Sequence, residues 1–227
     1  MSKIQDKIDE ALLLADEERA KTRKPSGKFK PSLFGRCYRA QIWARQGVPE
    51  SDPIDTRTRR VFKVGHLFHD FIQGFFEDKQ TEVMVNTEDA LGYADLVTTD
   101  CVWDIKTQHS YAFWHLAKEG VDITEARYPN WLQVAWYALN LGKKYCGLIL
   151  VSKDDMCMNE YRDETSNWQD DVDQEIATLN KFWCEKIVPP AEPRAYKKVD
   201  KKTGKVSFQE CEYCSHRKYC KELEGKK

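Results

Sequence analysis

The 227 residues suffice for one compact domain with trimmings, and no run approaches the roughly 20 apolar residues that a membrane span needs. Met1 to Glu10 is polar and lacks an apolar signal core, so the eight cysteines point to metal ligation and buried packing rather than to a secreted disulfide scaffold. The net charge of -1 hides an asymmetry: residues 21–63 hold twelve Lys and Arg against three acids, +9, whereas residues 154–175 hold nine acids and Arg162 alone.

The first predicted element is an amphipathic helix from about Lys3 to Lys21, with Ile4, Ile8, Leu12 and Ala15 at helical spacing before the Pro25-Ser26-Gly27 break. It defines an accessory segment, residues 1–24, ahead of a single domain over 25–227. A second helix starts near Thr58 and carries Val61, Val64, Leu67, Phe68, Phe71, Ile72, Phe75 and Phe76, a surface broad enough to predict deep burial. Strands follow at Glu82 to Val85, Leu91 to Val97 and Val102 to Thr107. A helix from Pro129 to Leu141, closed by Gly142, then precedes a strand at Tyr145 to Val151. A charged helix, Trp168 to Lys186, runs into Pro189, Pro190 and Pro193 and a cysteine-rich tail. The fold class is therefore α/β, a small mixed sheet flanked by helices.

The chemistry concentrates in the third strand. The strand period of two sends Asp104 and Lys106 to one face and Ile105 to the other. A hairpin closing at Thr99 and Asp100 pairs Val97 with Val102 and stands Asp95 opposite Asp104, where two like charges destabilise a sheet. A divalent cation removes that conflict, and carboxylate oxygens suit Mg2+ or Mn2+. The alternative is a surface ion pair on an exposed strand. His69 lies within an apolar helix, where an imidazole needs a partner, and Gln133 and Tyr137 share one face of a later helix at i, i+4. In the tail, Cys211-x2-Cys214-x5-Cys220 needs one more ligand to complete a four-thiolate site for Zn2+ or an iron–sulfur cluster.

Taken in order, these residues resemble the PD-(D/E)XK nucleases, in particular the RecB-type branch with its iron–sulfur-containing CRISPR-associated and phage exonucleases. The likeness spans Ser32 to Cys220. A helical G-x-x-x-H falls on Gly65 and His69, a G-x-x-D strand on Gly92 and Asp95, a D/E-x-K strand on Asp104, Ile105 and Lys106, and a Q-x-x-x-Y helix on Gln133 and Tyr137. The resemblance implies a restriction-endonuclease-like core in which His69, Asp95, Asp104 and the Ile105 carbonyl hold Mg2+ or Mn2+. Asp95, Asp104 and Lys106 would then act at the chemical step, with Gln133 and Tyr137 orienting the lysine or the DNA. Glu82 matches an acidic position of some members, with its role open.

Cys37, in Ser32-Leu33-Phe34-Gly35-Arg36-Cys37-Tyr38-Arg39, resembles the early cysteine of these nucleases. With Cys211, Cys214 and Cys220 it would hold a 4Fe-4S cluster, with Zn2+ as the alternative and His216 as the substitute fourth ligand. Cys101, Cys146, Cys157 and Cys184 read as small core residues.

The implied activity is a metal-dependent deoxyribonuclease, an exonuclease acting on DNA ends or single strands in recombination, repair or CRISPR-adaptation-like processing. It would work in the cytoplasm of a bacterial cell or phage-infected host, beside a helicase or recombination partner and away from membranes. Arg57, Arg59 and Arg60 are the expected phosphate guides. The rival readings are a non-catalytic nucleic-acid-binding subunit of a recombination or CRISPR-adaptation complex, against which the intact acidic and lysine positions argue, and a zinc-stapled interaction module.

Overall fold

The structure, a computed structural model, describes residues 3–22, 26–118, 120–195, 197–199 and 206–225. Its centre is a five-stranded sheet in the order β1-β2-β3-β4-β5. β1 (Thr81–Asn86), β2 (Leu91–Val97) and β3 (Cys101–Gln108) form an antiparallel meander. The β2–β3 turn closes with the Thr98 N–H donating to the Cys101 carbonyl at 2.8 Å, which fixes the pairs Val97 with Val102 and Leu96 with Trp103. This is the register expected from the two-residue connection. β4 (Tyr145–Ser152) runs parallel to β3, so the chain must cross over, and it does so through α4 (Ser110–Leu116), α5 (Ile123–Ala126) and α6 (Tyr128–Asn140). β5 (Met158–Glu164) closes the other edge, antiparallel to β4. No periodicity announced β5, because only one of its faces is half-buried and its side chains are mostly polar.

The principal core lies between the sheet and α6. Trp131, Leu132, Val134 and Ala138 meet Val102, Leu148 and Leu150 from the strands, each large apolar side chain contributing roughly 1.5–3 kcal/mol when fully buried. α6 is buried on every side from Asn130 to Ala138, because α7 (Gln169–Cys184) and the turn before it cover its back. There Trp131 stacks on Trp168 with ring centroids 5.4 Å apart and planes 5° from parallel.

α3 (Thr56–Gln73) lies on the opposite face, its first turn capped by the Asp55 carboxylate, which accepts from the Thr58 N–H at 2.7 Å. It was expected to be a deeply buried helix and is not. Ile72 and Phe68 pack on Leu96, Ile105, Ile149 and Val151, while Leu67, Phe71 and Phe75 stay more than half exposed. Apolar residues encircle this helix, but the sheet reaches only one side of it.

α1 (Lys3–Thr22) packs along α3 and sets Asp9 against Arg60 and Asp16 against Arg59. Two of the expected phosphate guides, Arg59 and Arg60, are thus paired with acids of α1. Besides Arg59 and Arg60, Arg45 lies between the Phe29 and Trp183 rings, and Arg39 is buried. Cys101 and Cys146 are core residues as expected, whereas Cys157 and Cys184 are exposed, one in the loop before β5 and the other at the end of α7.

Two buried carboxylates tie the early loop to the C-terminal part. Glu175 on α7 accepts from the Gly35 N–H and the Gln41 amide, each at 2.9 Å, and pairs with Arg194 at 2.8 Å. Glu210 accepts from the Cys37 N–H and from the amides of Arg194 and Ala195. A carboxylate with three donors tolerates burial that an unpaired one would not. Helix α8 (Arg217–Gly225) ends the described chain, and among the described residues no helix is long and apolar enough to cross a membrane.

Candidate active site

The regular β2–β3 ladder stops at Leu96 and Trp103. Continued by one pair, the same register sets Asp95 opposite Asp104. There the Ile105 N–H, which a continuing ladder would aim at the Ala94 carbonyl, donates to Asp95 Oδ2 at 2.7 Å. On the other side of β2 the ladder with β1 skips the row of Glu82 and Asp95, and Glu82 takes a left-handed φ of 47°. Ala94 joins the core beneath α6, whereas Leu96, two residues on, joins the core beneath α3. The pleat of β2 thus breaks at Asp95. A left-handed glutamate inside a paired strand is a costly local geometry of the kind that collects at functional sites.

This break gathers three ligand types. One ligand atom each of His69, Glu82 and Asp95 lie within 4.8 Å of one another. His69 Nδ1 stands 3.7 Å from Asp95 Oδ2, too far for a hydrogen bond. Gln73, one turn after His69 on α3, donates to Glu82 Oε1 at 3.0 Å and to the Asp95 carbonyl at 2.8 Å. Gln73 was missed in the sequence, although its i, i+4 spacing from His69 puts it on the same helix face.

Asp104 is 1% exposed. Its Oδ1 accepts from Lys106 Nζ at 2.7 Å, while Oδ2 is buried and accepts no hydrogen bond from the described residues. Burial above all pushes the carboxyls of Asp104 and Asp95 upward, opposed in both by the Lys106 ammonium. Burial, and next the Lys106 charge, lowers the His69 pKa, favouring the neutral imidazole that carries a free lone pair for a metal.

Gln133 and Tyr137 reach the same place from α6. Both are buried. Burial, followed by the charges of Asp104 and Asp95, drives the Tyr137 pKa well above that of a free phenol. Gly92 is required here, because any Cβ would collide with the Tyr137 hydroxyl and approach Pro31 Cδ to 3.1 Å. Gly65 has no such demand, since a Cβ there would meet Thr107 Oγ1 at an ordinary 3.6 Å.

A second constellation lies at the other end of the chain. Cys37, Cys211, Cys214 and Cys220 line one cavity of about 120 Å³, together with Arg39 and Trp43 among others. Burial raises the Cys37, Cys211 and Cys214 thiols above their usual range. The buried Arg39 donates to Cys220 Sγ at 3.3 Å, to the Pro189 carbonyl at 2.7 Å and to Glu224 at 2.8 Å, bringing a positive charge to the thiol group. His216 packs edge-on against Trp43, ring centroids 5.4 Å apart, and is not among the residues lining the cavity.

No family model and no curated protein matches the chain. Among solved structures, the crystal structure of SSO0001 aligns with 94% of this chain and 93% of its own, at 16% identity and a TM-score of 0.54. The alkaline exonuclease LHK-Exo from Laribacter hongkongensis aligns with 71% of this chain and 95% of its own, at 14% identity and a TM-score of 0.41. LHK-Exo in complex with dAMP aligns with 70% and 94%, at 16% identity and a TM-score of 0.38. The likeness to SSO0001 is one of fold, carried over nearly the whole of both chains.

Proposed function

We propose that the chain is a divalent-metal-dependent nuclease of the PD-(D/E)XK class, hydrolysing phosphodiester bonds in DNA at ends or in single strands. The observation that carries this reading is the convergence, at the break in β2, of His69, Glu82 and Asp95 beside a buried Asp104 with one unsatisfied oxygen. Neutral imidazole and several carboxylate oxygens make a donor set for Mg2+ or Mn2+. Those ligands, with the Ile105 carbonyl, would hold the ion, and the ion would supply charge to polarise the phosphate and activate water. Lys106, paired with Asp104, would offset developing negative charge on the phosphate. Gln133 and the undissociated Tyr137 would close the back of the site, with the Tyr137 hydroxyl against Gly92.

The four cysteines around the second cavity would hold a 4Fe-4S cluster, with Zn2+ as the competing occupant. The set fits an anionic group, because Arg39 offers its guanidinium to Cys220 and the cavity is already formed by both ends of the chain. A cluster there would reinforce the fold rather than take part in hydrolysis, since none of its ligands belongs to the Asp95 site.

Metal dependence is the test. End-labelled DNA should be degraded with Mg2+ or Mn2+ and stay intact with a chelator or with Ca2+, whose longer bonds and higher coordination number misplace water and phosphate. Full activity in chelator would refute the reading.

A further inference from the structure

We propose that Tyr93 and Met84 form a shelf that receives an unpaired nucleobase beside the phosphate undergoing attack. This rests on the nuclease reading and assigns a substrate contact that the metal centre alone does not require.

The sheet pleat places the shelf. On β1, Val83 and Val85 turn into the core beneath α6, leaving Glu82 and Met84 on the other face. On β2, Ala94 turns inward in the same way and the bare Cα of Gly92 faces Tyr137, so the Tyr93 side chain points outward with Met84. Met84 and Tyr93 are direct cross-strand partners, which sets their Cβ atoms about 4.5–5.5 Å apart. Both are half open to solvent, at 57% and 50% exposure.

α3 lies on the same face and brings His69 to Glu82 and Asp95. Two residues along the strands, about 7 Å at the antiparallel rise, lies the row of Glu82 and Asp95. α3 covers that row with His69 and Gln73, and Gln73 is its last residue. The helix therefore ends over the carboxylates and leaves the next row bare. An aromatic ring and a polarizable thioether beside a metal centre offer a flat apolar surface with no charge of their own, suited to the π-face of a base.

A base whose phosphate is held at the row of Glu82 and Asp95 can lie on Tyr93 only when it is unpaired, which a single strand or a frayed end permits and the interior of a duplex resists. Stacking is tolerant of base identity, so the shelf selects unpaired nucleotides rather than a sequence.

The test measures binding of fluorescein-labelled oligothymidylate, the same strand with abasic sites, and a blunt duplex, in Ca2+, by wild type, Tyr93→Ala and Tyr93→Phe, with cleavage of the normal strand followed in Mn2+. Tyr93→Ala should bind the normal strand about 10-fold or more weakly, within the range for loss of one stacked base, and Tyr93→Phe within about twofold of wild type. Wild type should bind the abasic strand about as weakly as Tyr93→Ala binds the normal one. Because Tyr93 is half exposed, thermal melting should be unchanged. Loss of base-dependent binding in Tyr93→Ala with no cleavage by wild type would keep the shelf and discard the nuclease. Wild-type binding and cleavage by a folded Tyr93→Ala would discard the shelf and keep the nuclease. A change in self-association, with no change in binding of the strand, would reassign the surface to contact between copies and overturn the proposal.

Discussion

Asp104→Asn is expected to slow cleavage by about 10²–10³-fold or more, the loss usual when one preorganised electrostatic contact to a transition state is removed. In the metal-free protein the same change should leave the melting temperature unchanged or raise it. The wild-type carboxylate is buried, satisfied at Oδ1 by Lys106 and without a partner at Oδ2 among the described residues. An unsatisfied buried acceptor costs roughly 1–3 kcal/mol, and a charged one more, so a neutral amide of the same shape relieves the site while losing the negative ligand. Activity and stability should thus move in opposite directions, as they do where a site is built for chemistry at the expense of the fold. Stopped-time cleavage assays and calorimetric melting in chelator measure the two. A wild-type rate would remove Asp104 from the reaction, and a large drop in melting temperature would make it a structural residue.

Cys37→Ser is expected to remove the proposed cluster and lower the melting temperature by roughly 10 to 20 °C. A clip closing a loop of this length contributes about 5 kcal/mol in loop-closure entropy, and each kcal/mol shifts the midpoint of a chain of this size by about 2–4 °C. The fall should stop short of unfolding, because Glu175 and Glu210 hold the Gly35 and Cys37 amides from the C-terminal side without any metal. Protein purified without air should be brown, contain about four irons per chain and bleach with serine at any one of the four positions. A colourless, zinc-loaded protein would replace iron by zinc and keep the four-cysteine grouping. If Cys37→Ser kept its metal, Cys37 would lose its place as the fourth ligand.

What could be read from the sequence follows from how local each determinant is. The β2–β3 register was legible because a two-residue connection fixes the pairs next to it, Val97 with Val102 and Leu96 with Trp103. The burial of α3 was misread because apolar periodicity counts side chains without knowing which side meets the sheet, and Phe71 and Phe75 fall on the side that does not. The pairing of Arg59 and Arg60 was hidden for a similar reason: the acids that answer them sit on α1, far away in sequence. Within the site, the hairpin register brings Asp95 to the Asp104–Ile105 segment but does not tell that the ladder stops one pair short of it. The left-handed φ of Glu82 could not be read, because no glycine or asparagine marks that backbone position. The role of Gln73 was also hidden, since it depends on where α3 ends above the sheet.

The account stands most directly on Lys106, which touches Asp104 at the proposed metal site and is itself one-third exposed. Equal amounts of wild type and Lys106→Ala, each with Mn2+, should be given the same 5′- and 3′-labelled single-stranded DNA, and the rate of shortening measured together with Mn2+ affinity. Wild type should shorten the strand, and Lys106→Ala should be at least about 10²-fold slower while still binding Mn2+. No shortening by the wild type, or equal rates in the two proteins, would contradict the account.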